Sequence, residues 1–447
     1  MEKKQFYKMV FSLVLPMAVQ NLINVGVTAA DVIMLGRVGE TALSAASLAN
    51  QISFILNLLM FGLTSGAAVL TAQYWGRKDT RTIEKVMGMS FRFAIIVGLL
   101  FGAAAIFIPG RLMLIFTKED IIIAEGIRYL RIVGFSYLLM SVNMVYLNLM
   151  RSVERVLVGM VTYAVSLLVN VIVNAIFIFG LLGAPKLGTA GAAIGTLTAR
   201  CIELVIIVLY DRKYNDVLNV RIRDIFVRDG GLRRDFVRYA MPVAANELIW
   251  GSGMAMISAV MGHLGGAAVA AHSVAQTSRQ LAMVVSLGVS GAAAIILGKT
   301  IGEGRRDLAK VYASRFMKLS LIVGIAGGLF IFFAVRPVAD AFLVLTGEAR
   351  EYLGYMMFIM SYFCVIQSVS CTLIVGILRS GGDTRIGLIL DVWGLWGCSI
   401  ILGAVAAFIL KLPVPAVYAL ITCDEAVKFL PAFKRYRSYK WLKDVTR

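Results

Sequence analysis

The chain has 447 residues, of which 59% are hydrophobic and 16% are charged, and its formal net charge is +18. Its mean hydropathy is +0.83, whereas a soluble domain carries about 25% charged residues. This composition excludes an ordinary soluble globular protein and predicts an integral membrane protein.

Apolar runs long enough to cross a bilayer recur along the whole sequence, and we predict twelve transmembrane helices from them. The first run is long and has no small-residue cleavage site, so we expect it to be a permanent helix and not a cleaved signal peptide. The predicted segments are 10–35, 42–75, 87–109, 123–150, 157–180, 187–210, 239–262, 267–298, 313–335, 352–378, 384–410 and 412–433.

The positive charges are concentrated in alternate loops between these segments. The loops after the even-numbered segments are basic, above all residues 211–238, whereas the other loops are poor in charge or acidic, as at Glu119 and Asp120. Both ends of the chain are basic as well. By the positive-inside rule, both termini are predicted to be cytoplasmic. The charge therefore indicates orientation in the membrane and gives no reason to invoke nucleic acid.

The two halves of the chain carry matching motifs in the same order. Three pairs of motifs share one offset of 226 residues, which is the distance between residues 15 and 241 at the start of the first pair. Small residues shared by membrane helices are weak evidence alone, but a constant offset over three motifs indicates an internal repeat. The pairs are LPMAVQN at 15–21 with MPVAANE at 241–247, LGRVG at 35–39 with MGHLG at 261–265, and ALSAASLA at 42–49 with AVAAHSVA at 268–275.

The repeat predicts two pseudo-symmetric lobes of six helices each. We place the N-lobe at residues 1–210, a cytoplasmic linker at 211–238, and the C-lobe with a basic cytoplasmic tail at 239–447. An even number of helices in each half makes the repeat parallel, as in two-lobed transporters that alternate access to a cavity. The mixed apolar and basic pattern of the linker predicts an amphipathic surface helix.

Enzymatic motifs fail their spacing requirements. The segment GAAAIILGKT at 291–300 has six residues between its glycines, whereas a phosphate-binding loop needs four. His263 and His272 are the two histidines, and neither is in an HExxH pattern. The chain is therefore not expected to be an enzyme, nor to hold a metal or organic cofactor.

The cysteines are interpreted as small core residues, because all of them lie in apolar runs. They are Cys201, Cys364, Cys371, Cys398 and Cys423.

The first apolar run contains one charge, Asp31, in the stretch TAADVIMLGRVG at 28–39. A carboxylate at the centre of a membrane helix costs about 2.5–3.5 kcal/mol on insertion scales. Burial disfavours the charged form, which either a proton or a sodium ion can neutralise. The alternative to a functional role is that Asp31 lies near the helix end, where water reaches its carboxylate.

Four motifs follow one another along the chain, namely ADVIMLGRVG at 30–39, LVNVIVNAIFIFG at 168–180, GTAGAAIGT at 188–196 and GILRSGGDTR at 376–385. Together they resemble the multidrug and toxic compound extrusion (MATE) family, and details such as NELIW at 246–250 and CDEAVKF at 423–429 resemble its DinF-like branch. The resemblance covers nearly the whole chain. It implies an all-α fold of twelve helices in two lobes that exports organic cations and amphiphilic drugs in exchange for protons or sodium.

The same resemblance implies an N-lobe ion site around Asp31, with Asn170, Asn174 and Thr196 as its neighbours. Asn170 and Asn174 are four residues apart, which places both on one helix face. Amide oxygens suit small hard cations, although asparagines in membrane helices also bond neighbouring helices. Some family members carry an aspartate where this chain has Asn174, so a sodium site is less expected here.

Four further residues are candidates for substrate contact, namely Glu247, Asp391, Trp250 and Tyr137. The two acids either attract a cationic substrate or bond to neighbouring helices, and the sequence leaves both open. The aromatic rings either offer cation–π contacts or pack as ordinary core. The C-lobe acids of some family members fall on Trp250 and Ser368 in this chain, so an ion site of that kind is not expected in the C-lobe.

Two charge groupings are predicted to form ion pairs inside the helices. Arg200 and Glu203 are three residues apart in the sixth segment, which places them on one face. Lys428 follows Asp424 and Glu425 in the twelfth segment with helical spacing. Both groupings are therefore expected to be structural.

Two transport functions remain after enzymes are set aside. The first is a cation-coupled antiporter, coupled to protons or sodium, which exports amphiphilic cations from a monomer in the plasma membrane. The alternative is a flippase for a lipid-linked precursor, since that group shares the two-lobed architecture. A flippase is expected to show extra helices or a strongly cationic cavity, and the acids within the predicted helices favour the antiporter.

The charge distribution yields a test of topology. A single cysteine placed within 211–238 of a cysteine-free variant should react with a membrane-impermeant maleimide only when the cytoplasmic face is accessible. In a second variant, a single cysteine near Glu119 should react with the same reagent from outside intact cells. Labelling of the 211–238 position from outside would contradict the cytoplasmic assignment of the termini.

Overall fold

The structure is a computed structural model that describes residues 3–227, 229–337 and 346–446. Helices joined by short connections account for the regular structure within these ranges. The predicted all-α membrane fold is therefore confirmed.

The long helices follow the predicted segments in order and extend beyond most of them. Short helices lie between them or at the C-terminal end. The elements are α1 (Lys3–Gly36), α2 (Glu40–Gly76), α3 (Thr80–Phe107), α4 (Pro109–Leu114), α5 (Asp120–Ser152), α6 (Val156–Phe179), α7 (Thr189–Lys213), α8 (Ile222–Ile225), α9 (Gly230–His263), α10 (Gly266–Gly302), α11 (Arg306–Val335), α12 (Gly347–Leu378), α13 (Thr384–Ile409), α14 (Val414–Ile421) and α15 (Asp424–Arg437).

Eleven helices of the described chain are long and apolar enough to cross a bilayer. The twelfth predicted segment, 412–433, forms the two shorter helices α14 and α15, which are separated at Thr422 and Cys423. Asp424 and Glu425 start α15, and both are buried. The interruption therefore falls where the sequence changes from an apolar run to charged residues.

Equal helix lengths reproduce the sequence repeat. Helices α1 and α9 each have 34 residues and contain an internal proline, Pro16 and Pro242 respectively. Helices α2 and α10 each have 37 residues. An internal proline removes one backbone hydrogen bond and bends the helix. The matched prolines therefore interrupt the backbone hydrogen bonding at equivalent points of the two halves.

The chain divides into two compact units. One contains residues 19–71 and 79–237, and the other contains the chain up to Ala18, residues 72–78 and the chain from Arg238 onward. The lobe boundaries inferred from the sequence, 1–210 and 239–447, stay a prediction.

Close helix contacts in the unit of residues 19–71 and 79–237 depend on small residues. In this unit α3 packs on α5, α5 packs on α7, and α6 packs on α7. A Cβ at Gly102 of α3 would lie 2.9 Å from the carbonyl oxygen of Gly134 in α5. Glycine at such crossings lets helix backbones approach closely, which is how membrane helices gain packing energy.

The second unit is centred on α10, α11 and α12, which pack against one another. Its core is rich in methionine, with Met356, Met357 and Met360 of α12 all at most 1% exposed. A Cβ at Gly324 of α11 would lie 3.0 Å from the Cα of Val365 in α12. The same device of small residues at crossings therefore operates in both units.

The expected amphipathic helix of the linker is wrong for the described part of 211–238, in which residue 228 is not described. Helix α7 runs to Lys213, the four-residue α8 covers Ile222–Ile225, and α9 begins at Gly230. The segment between them is docked on α3 in a mostly irregular conformation. Gly88 of α3 permits this contact, because a Cβ there would meet the backbone of Asp224 and Ile225.

Charged side chains of α3 hold the linker in place. The guanidinium of Arg81 donates to Glu84 at 2.7 Å and to Asp224 at 2.7 Å. Glu84 accepts from the backbone N–H of Asn219 at 2.8 Å, and Arg92 donates to the carbonyl of Val227 at 3.1 Å. Charged side chains of α3 thus bind the docked segment through its backbone and through the carboxylate of Asp224.

Asp224 is the buried anchor of this segment. Its carboxylate accepts from Arg81 and from the backbone N–H of Arg221 at 2.8 Å. Burial favours the protonated form, but these two hydrogen bonds outweigh it and hold the pKa of Asp224 below its ordinary value of 3.8. The anchor is therefore fully charged at neutral pH and weakens only as the pH falls through that lowered pKa.

Replacing Asp224 with asparagine should loosen the linker. The change removes a charge-assisted hydrogen bond, which contributes about 1.5–3 kcal/mol, and the local opening of 214–229 should become at least about fivefold more frequent. Limited proteolysis of this segment measures the opening. Asp216→Asn is the matched control, because the Asp216–Arg155 pair is exposed and such pairs contribute about 0–1 kcal/mol. Equal proteolysis of both variants would contradict the anchoring role.

Candidate functional site

The carboxylate of Asp31 is bound by an amide. Asp31 lies in α1, five residues before Gly36 ends that helix. The side-chain N–H of Asn174 in α6 donates to Asp31 Oδ1 at 2.6 Å. No cation lies within ion-pair distance of Asp31 among the described residues. The charge is therefore met by a neutral partner.

Asn170 joins the same group through Asn174. Asn174 Nδ2 also donates to Asn170 Oδ1 at 3.2 Å, and the two side chains are 0% and 3% exposed. The predicted common face of α6 thus brings the two amides together, and the Asn174 amide contacts Asp31 directly. The side-chain oxygen Oδ1 of Asn174 is buried without a hydrogen-bond partner in the described part of the chain. The Asn174 amide can therefore still accept a hydrogen bond.

Gly195 of α7 makes room for this arrangement. A Cβ at Gly195 would collide with Oδ1 of Asn174 and would lie 2.9 Å from its side-chain carbon. The glycine therefore allows α7 to pack on α6 at the level of the amides. It belongs to the GTAGAAIGT motif at 188–196.

Thr196 of α7 interacts with Tyr129 of α5, and Tyr129 in turn interacts electrostatically with Asp31. The Tyr129 hydroxyl donates to Asn50 Oδ1 of α2 at 3.0 Å, and Tyr129 is 2% exposed. No direct hydrogen bond joins Thr196 to Asp31 among the described residues. Sequence reasoning missed Tyr129 and Asn50, because neither stands in a motif and only helix packing brings them to the site.

The predicted ion pair of Arg200 and Glu203 is confirmed. Arg200 Nη1 lies 2.8 Å and 2.9 Å from the two carboxylate oxygens of Glu203. Glu203 also accepts from Ser166 Oγ at 2.6 Å and from Asn143 Nδ2 at 3.1 Å. Arg200 additionally interacts electrostatically with Asp31, so it links this buried network to the amide-bound carboxylate.

The two acids of the second unit each contact a cation. Arg379, which directly follows α12, donates to Glu247 of α9 at 3.1 Å, with side chains only 5% and 12% exposed. Lys428 of α15 lies 2.8 Å from Asp391 of α13. These contacts correspond to the interhelical alternative that the sequence left open for both acids.

Lys428 is shared among three carboxylates. Besides Asp391, it contacts Asp424 at 2.9 Å and Glu425 at 3.1 Å. The predicted pairing within the twelfth segment is therefore confirmed, and it is joined by a partner from another helix. A buried ammonium with three acidic neighbours neutralises much of their charge.

The aromatic candidates are part of the helix packing. Tyr137 is 1% exposed, and its hydroxyl accepts from Ser53 Oγ at 3.1 Å. Trp250 packs, partly buried, against the methionine-rich core of the second unit. Within the ranges that the structure describes, no group of three or more histidine, cysteine or acidic side chains is placed to hold a metal ion.

Comparison with known families and structures gives consistent matches. The MatE family matches residues 16–176 and 242–405. The probable multidrug resistance protein YoeA of Bacillus subtilis is 24% identical over 97% of this chain and 94% of its own length. The probable multidrug resistance protein NorM of Rhizobium meliloti is 26% identical over 84% and 81%. An outward-facing multidrug resistance MATE family transporter superimposes with a TM-score of 0.88 at 20% identity, covering 97% of this chain and 96% of that one.

The buried network around Glu203 gives a prediction for stability. Glu203→Gln should lower the free energy of unfolding by about 3 kcal/mol, because it removes the charge of a buried carboxylate and leaves Arg200, whose side chain is 27% exposed, without its counter-ion. Thermal unfolding of the purified chain in detergent measures the loss. Glu125→Gln is the matched control, since Glu125 and Arg128 have the same spacing but an exposed guanidinium. Similar small shifts in both variants would contradict the structural role of Glu203.

Proposed function

The chain belongs to the MatE family of membrane transporters, and we propose that it is a cation-coupled antiporter that exports organic cations and amphiphilic drugs. The family consists of transporters and not enzymes, and the chain is a multi-pass membrane protein. The relatives named as multidrug resistance proteins support the proposed substrate class. The observation that carries the coupling proposal is the amide-bound carboxylate of Asp31.

Asp31 is the proposed coupling residue because its carboxylate forms no ion pair with an arginine or lysine in the described part of the chain. Glu203, Glu247 and Asp391 each contact an arginine or lysine, whereas Asp31 contacts the amide of Asn174. A fixed cation would compete with an exchangeable one. An amide instead leaves the carboxylate able to take up and release a cation during transport.

A proton is the proposed coupling ion. Sodium needs several oxygen ligands at set distances, but in the described arrangement Asn174 turns its N–H groups toward Asp31 and Asn170. With Asn170, Asn174 and Thr196 all neutral, Asp31 supplies the only negative charge of the proposed ion site. Protonation needs the carboxylate alone, and burial favours it. Sodium is then at best a substitute ion.

Protonation of Asp31 would change its contacts with neighbouring helices, and we propose that this change couples proton movement to transport. A protonated Asp31 loses its charge-assisted bond from Asn174 and its attraction to Arg200. Helices α1, α6 and α7 carry these three groups. Proton binding would therefore alter contacts between helices of one unit and shift the equilibrium between two conformations of the transporter. If the proton and the substrate favour opposite conformations, the transporter exchanges one for the other.

The substrate contacts proposed for Glu247, Asp391, Trp250 and Tyr137 are constrained by their present partners. A cationic substrate at either acid would have to replace Arg379 or Lys428. Trp250 is only partly buried and is thus the more accessible aromatic ring.

We further propose that the protein belongs to the DinF-like branch and acts as a monomer in the plasma membrane, with both termini on the cytoplasmic side. A flippase for a lipid-linked precursor is the competing function.

Proteoliposomes with separate proton and sodium gradients test the coupling proposal. Asp31→Asn should reduce gradient-driven substrate efflux to the level of protein-free vesicles, because the amide keeps the shape but cannot cycle a charge. Asn170→Ala should retain most of the proton-driven efflux. Substrate movement without any ion gradient in the wild type would instead favour a flippase.

Asp120→Asn is the control for the loss of one carboxylate, since Asp120 is exposed at the start of α5. It should transport like the wild type. Efflux that requires sodium at constant pH and is lost in both Asp31→Asn and Asn170→Ala would show that the amide is a sodium ligand. Wild-type efflux by Asp31→Asn would overturn the role of Asp31.

A further inference from the structure

A cavity of about 190 Å³ lies in the unit that contains the chain from Arg238 onward. Its walls come from the first part of α9, from the start of α13 and from the C-terminal tail. A buried water needs only about 10–15 Å³ of such space, so this cavity has room for a polar group much larger than one water. The lining residues are Arg238, Tyr239, Gly382, Asp383, Thr384, Arg385 and Lys443.

The charge of this cavity is positive. Arg238, Arg385 and Lys443 face a single acid, Asp383. That carboxylate is already occupied, because Arg435 donates to it at 2.6 Å and Lys443 at 2.7 Å. Burial raises the pKa of Asp383, but these cations outweigh burial and hold that pKa below its ordinary value of 3.8.

The two arginines lack a carboxylate partner among the described residues. Arg238 lies over the ring of Tyr239, with its guanidinium carbon 5.7 Å from the ring centroid, and Arg385 is exposed at the start of α13. Two guanidinium groups at one cavity suit a phosphate, which they bind through paired hydrogen bonds. The cavity is therefore arranged to receive an anion.

The start of α13 adds to this preference. Asp383 occupies the N-cap position of this helix, but its side chain makes no capping bond. The first N–H groups of α13 are thus not used by that side chain. A helix N-terminus favours negative charge, and here it coincides with Arg385.

An apolar stripe leads away from the cavity along α13. Arg385, Ile389 and Trp393 are spaced by four residues and therefore share one helix face. Ile389 is 58% exposed and Trp393 is 49% exposed, and α13 is one of the apolar membrane-spanning helices. A phosphate bound at Arg385 would lie at the end of a surface suited to an acyl chain.

We propose that this cavity binds the headgroup of an anionic phospholipid, with its phosphate between Arg238 and Arg385 and an acyl chain along Ile389 and Trp393. Free phosphate shares the headgroup chemistry, but it would not use the exposed apolar stripe. Basic pockets at the ends of membrane helices are suited to such headgroups. The site is independent of Asp31 and of the proposed exchange reaction.

Lipid titration of the purified full-length chain in detergent tests the site. Phosphatidylglycerol should raise the melting temperature in a saturable manner, and phosphatidylcholine at equal concentration should not. The variant Arg238→Gln/Arg385→Gln should weaken the apparent affinity for phosphatidylglycerol at least about tenfold. Size-exclusion chromatography confirms that the variants remain folded.

Arg233→Gln/Arg234→Gln is the matched control, because it removes two exposed charges from the same helix α9 outside the cavity. It should keep the response to phosphatidylglycerol. Equal weakening in the two double variants would show attraction to general surface charge and would overturn the site. A full response to inorganic phosphate alone, or no response of the wild type to phosphatidylglycerol, would overturn the lipid assignment.

Discussion

The cost of holding a carboxylate among apolar helices determines how this fold places its acids. An unpaired charge in the hydrocarbon region is expensive, and a buried charge persists when a counter-ion and hydrogen bonds compensate it. Glu203, Glu247 and Asp391 meet this requirement with Arg200, Arg379 and Lys428. Asp31 meets it with the neutral amide of Asn174. That difference separates the acids that form ion pairs from the acid that we propose to bind an exchangeable cation.

Small residues determine whether such side chains can meet. Gly195 lets α7 approach Asn174, and Gly102 and Gly88 let α3 approach α5 and the linker. Side chains at these positions would separate the helices and the polar groups that they carry. The chemistry at Asp31 therefore depends on residues that have no functional group, which is why the glycine-containing motifs of the sequence are as informative as its acids.

The linker shows how a charge pattern can be misinterpreted. Its alternation of apolar and basic residues is typical of an amphipathic surface helix, yet its described residues form only α8 between the ends of α7 and α9. Asp224 is instead bound by Arg81, a residue 143 positions earlier. Tertiary hydrogen bonds to α3 thus stabilise an irregular segment, and local periodicity contains no information about such a distant partner.

The sequence by itself determined the class of the protein, the order of its long helices and its internal repeat, because apolar runs and constant motif offsets are local or periodic properties. It also determined that Asn170 and Asn174 share a face and that Arg200 pairs with Glu203, since helical spacing alone decides these contacts. Tertiary structure decided the partners of the remaining polar groups. Tyr129 reaches Asn50 and Thr196, and Arg379 reaches Glu247, only through packing between helices. Such pairings depend on the angle and depth at which helices cross, which neighbouring residues in the sequence do not specify.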